Sequence, residues 1–223
     1  MKRFKTIMSA ALAFTVLSSA TVSLAEVKNH GWIVLPEKID TVLVNPFEDT
    51  YEKWYDESVA FAYTNGYIKG VSSSSFAPDD NVTCSELAAI LYRVAGEPTV
   101  SMNSDVPDEW FTKSNEWVIE NKIASGFDNA FSGDRPLLRE EIVSMFYEFF
   151  LTSGIMFEKA ELGKFTDCKE VSEFAKDAFS WAVSFGVIMG DERSKLNPKD
   201  NVTRGETAAM LYRFIKQTAE KIN

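Results

Sequence analysis

The chain has 223 residues, enough for one or two ordinary domains. Its 17 Phe, 7 Tyr and 5 Trp can fill packed cores, which excludes a wholly disordered chain. A formal net charge of -10 excludes nucleic acid and anionic membrane as general partners, so an anionic ligand must be met by a few locally placed Arg or Lys residues.

Residues 1–25 read as a signal peptide. Lys2, Arg3 and Lys5 form a basic start, Ile7 to Leu17 is apolar, and Ser23-Leu24-Ala25 offers small residues for cleavage before Glu26. Cleavage removes three positive charges and no negative ones, taking the net charge from -10 to -13. The mature chain is expected to be secreted, with no membrane association after cleavage, because no other stretch is long and apolar enough to span a bilayer. Export permits a disulfide, but the sequence does not decide whether Cys84 and Cys168 pair or stay as two thiols. The single histidine, His30, lies in a linker, so His-dependent triads and multi-His metal sites are excluded. No calcium-loop spacing, nucleophile motif or distinctive carboxylate pair appears. The expectation is a protein that is not an enzyme and that uses no metal and no cofactor.

Residues 26–45 form a lead-in with Gly31 and Pro36 around two apolar scraps, expected to dock on the first repeat or to form one edge strand. Three copies of one pattern come next, at 46–98, 99–160 and 161–223. Each opens on an Asp-bearing turn (Asp49, Asp105, Asp167). An amphipathic helix comes after it, with apolar residues at three- and four-residue steps: Trp54, Val59 and Phe61; Trp117, Ile119 and Ile123; Phe174, Ala178, Trp181 and Phe185. A glycine loop closes each helix, at Gly70, Gly126 and Gly190, and a second, Pro- or Gly-bearing loop leads into a second helix. The start of that second helix carries the strongest local signal. In Thr203-Arg204-Gly205-Glu206 and Thr83-Cys84-Ser85-Glu86, the threonine can cap while the glutamate reaches back to the cap's own N–H. Leu138-Arg139-Glu140-Glu141 is a looser copy that forfeits the capping hydroxyl, worth about 1 kcal/mol. A two-helix unit of this size cannot bury both its faces, so the copies should pack together. Arg204 is notable because a cation in a first helical turn opposes the helix dipole.

This ordered pattern in triplicate resembles the S-layer homology (SLH) domain family over roughly residues 46 to 220. The resemblance implies an all-α fold in which three helix-loop-helix SLH repeats pack as a pseudo-threefold spindle. It implies non-covalent attachment of exported proteins at the cell wall or cell surface. The implied partner is an anionic secondary cell-wall polysaccharide, often pyruvylated, held in grooves between repeats. Carried onto this chain, the implied ligand contacts are Arg204 and Arg139 on a carboxylate, Trp117 and Trp181 on sugar faces, and the backbone at Gly70, Gly126 and Gly190. For Trp117 and Trp181 burial in the core is the competing reading, and Trp54 and Trp110 read as core. Thr203, Glu206, Thr83, Glu86 and Glu141 read as capping residues, and Asp49, Asp105 and Asp167 as pinning the turn before the first helix. Cys84 stands where the pattern has arginine, so a groove that depends on it should be weak. Fewer than three working grooves are expected, with Arg204's the best preserved. An alternative role is a surface adaptor that binds other surface proteins through degenerate sugar grooves.

Overall fold

A computed structural model describes residues 31–36, 42–100, 109–125 and 135–222. The signal peptide, Asp105 and Gly126 therefore lie outside the described residues. The described chain is helical, with six α-helices: α1 (Asp56–Thr64), α2 (Cys84–Val94), α3 (Thr112–Glu120), α4 (Arg139–Leu151), α5 (Lys176–Ser184) and α6 (Arg204–Ile222). Extended pairing among the described residues is confined to isolated bridges, and the expected all-α class holds.

Local chemistry sets the boundaries. Asp56 and Glu57 place negative charge in the first turn of α1, where the dipole favours it. The helix stops at Asn65-Gly66, with Gly66 in the left-handed region at φ 72. The same device, Gly96 at φ 77, ends α2 two residues after Val94. Past α4 the chain turns at Gly154, φ 69.

The first helix of each copy packs on the second helix of a different copy. Helix α1 lies on α6, α3 on α2, and α5 on α4. This is the physical answer to the two-helix unit that cannot cover its own apolar faces. The buried side chains accordingly form one core that runs through all three copies. Its centre is aromatic: Trp181 stacks on Phe185 at 5.6 Å, Phe150 lies 5.1 Å from Trp181, and Phe146 lies 5.5 Å from Phe214.

Three short segments, 81–83, 136–138 and 201–203, meet in antiparallel bridges and close a ring. The Val82 N–H donates to the Val202 carbonyl at 2.9 Å, the Val202 N–H to Leu137 at 3.2 Å, and the Leu137 N–H to Val82 at 2.9 Å. Their side chains are buried. One residue further on, the helix starts lean on the neighbouring copy's loop. Arg204 N–H donates to the Asp80 carbonyl, Arg139 N–H to Asp200 and Cys84 N–H to Arg135.

Each seam is also closed by a different side-chain chemistry at the second helical position. Ser85 accepts from Asn115 at 2.9 Å. Glu140, 3% exposed, accepts from the Ser172 N–H and hydroxyl at 3.1 Å each and pairs with Lys199. Gly205 lies so close to Tyr55 that an added Cβ would sit 2.9 Å from its ring. The described part of the lead-in docks on the repeats: Ile33 is fully buried, the Val34 N–H donates to the Val94 carbonyl at 3.1 Å, and Trp32 meets Trp117 edge-on at 6.0 Å.

Leu137→Ala opens a cavity on the ring and should cost about 2–5 kcal/mol, measured by urea unfolding. Val42, 89% exposed, is the control, and Val42→Ala should stay within about 0.5 kcal/mol of wild type.

Candidate functional site: grooves assembled from three copies

Two of the expected capping boxes are complete. The Thr83 hydroxyl accepts from the Glu86 N–H at 3.3 Å, and Glu86 Oε2 accepts from the Thr83 N–H at 2.9 Å. Thr203 and Glu206 repeat this at 3.3 and 3.0 Å. At α4 only the glutamate half is present, with Glu141 Oε2 accepting from the Leu138 N–H at 2.8 Å.

The remaining oxygen of each capping glutamate faces an arginine. Glu86 Oε1 takes Arg204 Nη1 at 3.1 Å, and Glu206 Oε1 takes Arg139 Nη2. In both pairs the arginine belongs to a different copy from the glutamate. Glu141 has Cys84 in that place, and its carboxylate is met instead by Arg135 from its own copy, bidentate at 2.8 and 2.8 Å.

Two grooves are built around these cross-copy pairs. The Arg139 groove, about 220 Å³, is formed by Ile188 to Asp191, Glu206 and Arg213 of the third copy, Arg139 of the second and Trp54 of the first. The Arg204 groove, about 180 Å³, is formed by Ile68 to Val71, Glu86 and Arg93 of the first copy, Arg204 of the third and Trp110 of the second. The two match position for position. Arg93 donates to the Tyr67 carbonyl at 2.9 Å and Arg213 to Val187 at 3.3 Å, and burial lowers the pKa of both guanidinium groups.

The aromatic residues differ in burial from the reading of the sequence. Trp117 is 2% exposed and Trp181 fully buried, so neither has a face for a sugar. Trp54 and Trp110, read as core, are 65% and 64% exposed and line the grooves. The reason is position: Trp117 and Trp181 sit in the body of a helix that another copy covers, whereas Trp54 and Trp110 precede their helices.

The N–H groups at the start of α6 are used within the protein: Arg204 N–H goes to Asp80, Gly205 N–H to Pro78 and Glu206 N–H to Thr203. Two further expectations change in detail. Asp49 and Asp167 pin the loop before the second helix, not the turn before the first. Asp49 accepts from the Ser75 hydroxyl and the Phe76 and Ala77 N–H groups, and Asp167 from the Leu196 and Asn197 N–H groups. Burial pushes the Asp49 pKa up, but those hydrogen bonds together outweigh it and leave the carboxyl below its ordinary value. Gly70 and Gly190 do border the grooves, yet what requires glycine is internal. An added Cβ would lie 2.2 Å from the Phe47 ring at Gly70 and 2.6 Å from the Phe165 ring at Gly190.

The second copy's corresponding surface keeps the glutamate, Glu141, but is altered at three matching positions. Cys84 replaces the arginine, Glu148 stands where Arg93 and Arg213 stand, and Phe174 stands where Trp54 and Trp110 stand. Glu148 accepts from the Ser125 N–H and hydroxyl, and burial raises its pKa despite those bonds. Cys84 and Cys168 are both free thiols.

The architecture defines a helical tandem-repeat protein, and both grooves described above lie where copies meet. Residues 46–88 and 164–208, in the first and third copies, match the S-layer homology domain. The chain is 27% identical over 167 residues to a surface-layer 125 kDa protein of Lysinibacillus sphaericus, covering 72% of this chain and 14% of that one. It is 23% identical over 161 residues to a cellulosome-anchoring protein of Acetivibrio thermocellus, covering 68% and 36%. An exoglucanase of Acetivibrio thermocellus is 23% identical over 180 residues, covering 77% of this chain and 16% of the enzyme. The chain thus matches only a small part of these relatives' length.

Burial pushes the Cys84 thiol up to about 12, with Arg135 lowering and Glu141 raising it. In a thiol-labelling time course Cys168, which is partly exposed, should react while Cys84 stays protected until the protein is unfolded.

Proposed function

We propose that this chain is a non-catalytic anchor that is exported and held at the cell surface by an anionic, pyruvylated secondary cell-wall polysaccharide. The observation that carries this reading is the pair of matching grooves. Each sets an exposed tryptophan beside arginines on a chain whose overall charge is -10. A flat indole face suits a sugar ring, and guanidinium groups concentrated in a cleft suit a carboxylate. Trp54 and Trp110 take the stacking role in this reading. Arg139 faces the anion in one groove, Arg204 braces the wall of the other through the Phe76 and Lys69 carbonyls, and the backbone at Gly70 and Gly190 forms the groove wall. The middle copy is a diverged third SLH repeat, its Gly126 loop included. The two S-layer homology matches, and relatives named for the surface layer and for cellulosome anchoring, support attachment at the surface.

A second reading draws on the altered surface of the middle copy. Losing two arginines and gaining Glu148 makes it unsuited to an anion, and it would then face another surface protein.

Purified protein should sediment with cell walls and stay soluble once the secondary polymer is chemically removed. Trp54→Ala with Trp110→Ala should lower wall affinity at least tenfold without changing the melting temperature, since both side chains are exposed. Equal sedimentation with stripped and intact walls would sink the polysaccharide reading and favour a protein partner.

A further inference from the structure

Ahead of the repeats, residues 31–36 run across the ends of α2 and α4 and over α3. Gly31 lies against the C-cap of α4 with φ 61, where an added Cβ would overlap the Thr152 carbonyl oxygen. The Trp32 N–H donates to the Thr152 hydroxyl at 3.4 Å, and the Trp32 ring meets Trp117 of α3 edge-on. Ile33 is fully buried, and the Val34 N–H donates to the carbonyl of Val94, the last residue of α2. Trp117 in turn lies 5.6 Å from Tyr92 of α2 and 6.0 Å from Phe149 of α4. One short segment thus joins the first copy to both helices of the second.

Helix α3 needs such a fastening. It has nine residues, too few to hold a helix without packing. Unlike α1 and α5 it has no acidic residue in its first turn to meet the dipole. Two of its buried polar atoms, Asn115 Oδ1 and Trp117 Nε1, have no hydrogen-bond partner among the described residues, which costs stability. The matching seam, α5 on α4, is covered by the connector between copies, where Phe157 meets Tyr147 and Phe150. That connector is held on both sides by the helices it joins, whereas residues 31–36 reach α3 from outside the repeats.

Trp110 stands two residues before α3 and lines the Arg204 groove, whereas the Arg139 groove takes no residue from α3 or its approach. We propose that residues 31–36 are a strap that seats α3, and that through α3 the strap positions Trp110 in one groove and leaves the other groove unaffected. A helix of nine residues, about 14 Å long, moves as one rod, so a shift at Trp117 under the strap carries Trp110 with it. The strap's consequence for binding rests on the carbohydrate reading above, and its hold on α3 does not.

The test is hydrogen exchange and cell-wall sedimentation of the full chain. In Ile33→Ser the α3 amides should exchange at least about tenfold faster than in wild type, with those of α1 and α6 within about threefold. Val42→Ser, at an exposed position of the same lead-in, should change neither. Trp32→Ala removes a partly exposed ring, should repeat the pattern of Ile33→Ser, and replaces it if that chain does not fold. In wall binding, Ile33→Ser should lower affinity at least about threefold. Adding Trp110→Ala should then cost nothing further, and adding Trp54→Ala should cost at least about threefold again. Unchanged α3 exchange, faster exchange spread evenly over α1, α3 and α6, or losses that add with Trp110→Ala overturn the strap. Loosened α3 in a chain whose wild type does not sediment supports the strap's hold on α3 and removes the anchor. Sedimentation with α3 unmoved by either variant removes the strap and leaves the anchor.

Discussion

Three backbone hydrogen bonds, from Val82 to Val202, Val202 to Leu137 and Leu137 to Val82, form a closed cycle, and the rest of the molecule is placed by it. Each residue gives its N–H to one neighbour and its carbonyl to the other, so none of these buried groups is left without a partner. The cycle fixes where three helix starts stand relative to one another. Because α2, α4 and α6 leave it immediately, it also fixes which first helix each can receive. Buried valine and leucine side chains at the same residues attach this polar ring to the apolar core.

A site formed at a seam combines parts of different origin. The helix start that lacks arginine at Cys84 does not impair the groove of its own copy, because Glu86 is served by Arg204. The defect falls on the neighbour, where Glu141 loses its cross-copy partner and Arg135 fills the electrostatic gap. Leu138 likewise loses a cap without disturbing the arginine beside it, which serves Glu206. Changes that look scattered along the chain therefore gather at one place, the surface that carries Cys84, Glu148 and Phe174, and leave two complete grooves. Glu148 is the clearest mark of that change: its burial works against its charge where the other copies present guanidinium groups.

Much of this was legible in the sequence. Thr83 with Glu86 and Thr203 with Glu206 announced capped helices because a capping box is a contact within four residues. The threefold pattern announced that no copy could stand alone. What one copy's periodicity does not carry is the identity of the neighbour that covers it. Trp117 and Trp181 are buried by partners distant in sequence, and Trp54 and Trp110 are exposed because they lie just outside the covered helix. The same limit hid the use of Arg204. A cation at a helix start looked free for an anion, but its partners are the Phe76 and Lys69 carbonyls, more than a hundred residues earlier in the chain.

The contact of α1 with α6 joins the first and last helices of the ring. It is reinforced by the Tyr212 hydroxyl donating to Glu57 at 2.8 Å and by the close approach of Gly205 to Tyr55. A tension applied where the chain enters α1 and leaves α6 meets this seam first and shears it, before any helix is stretched. Resistance to such a pull is thus set by one interface between distant segments, and the two grooves lie on the two copies it clasps together.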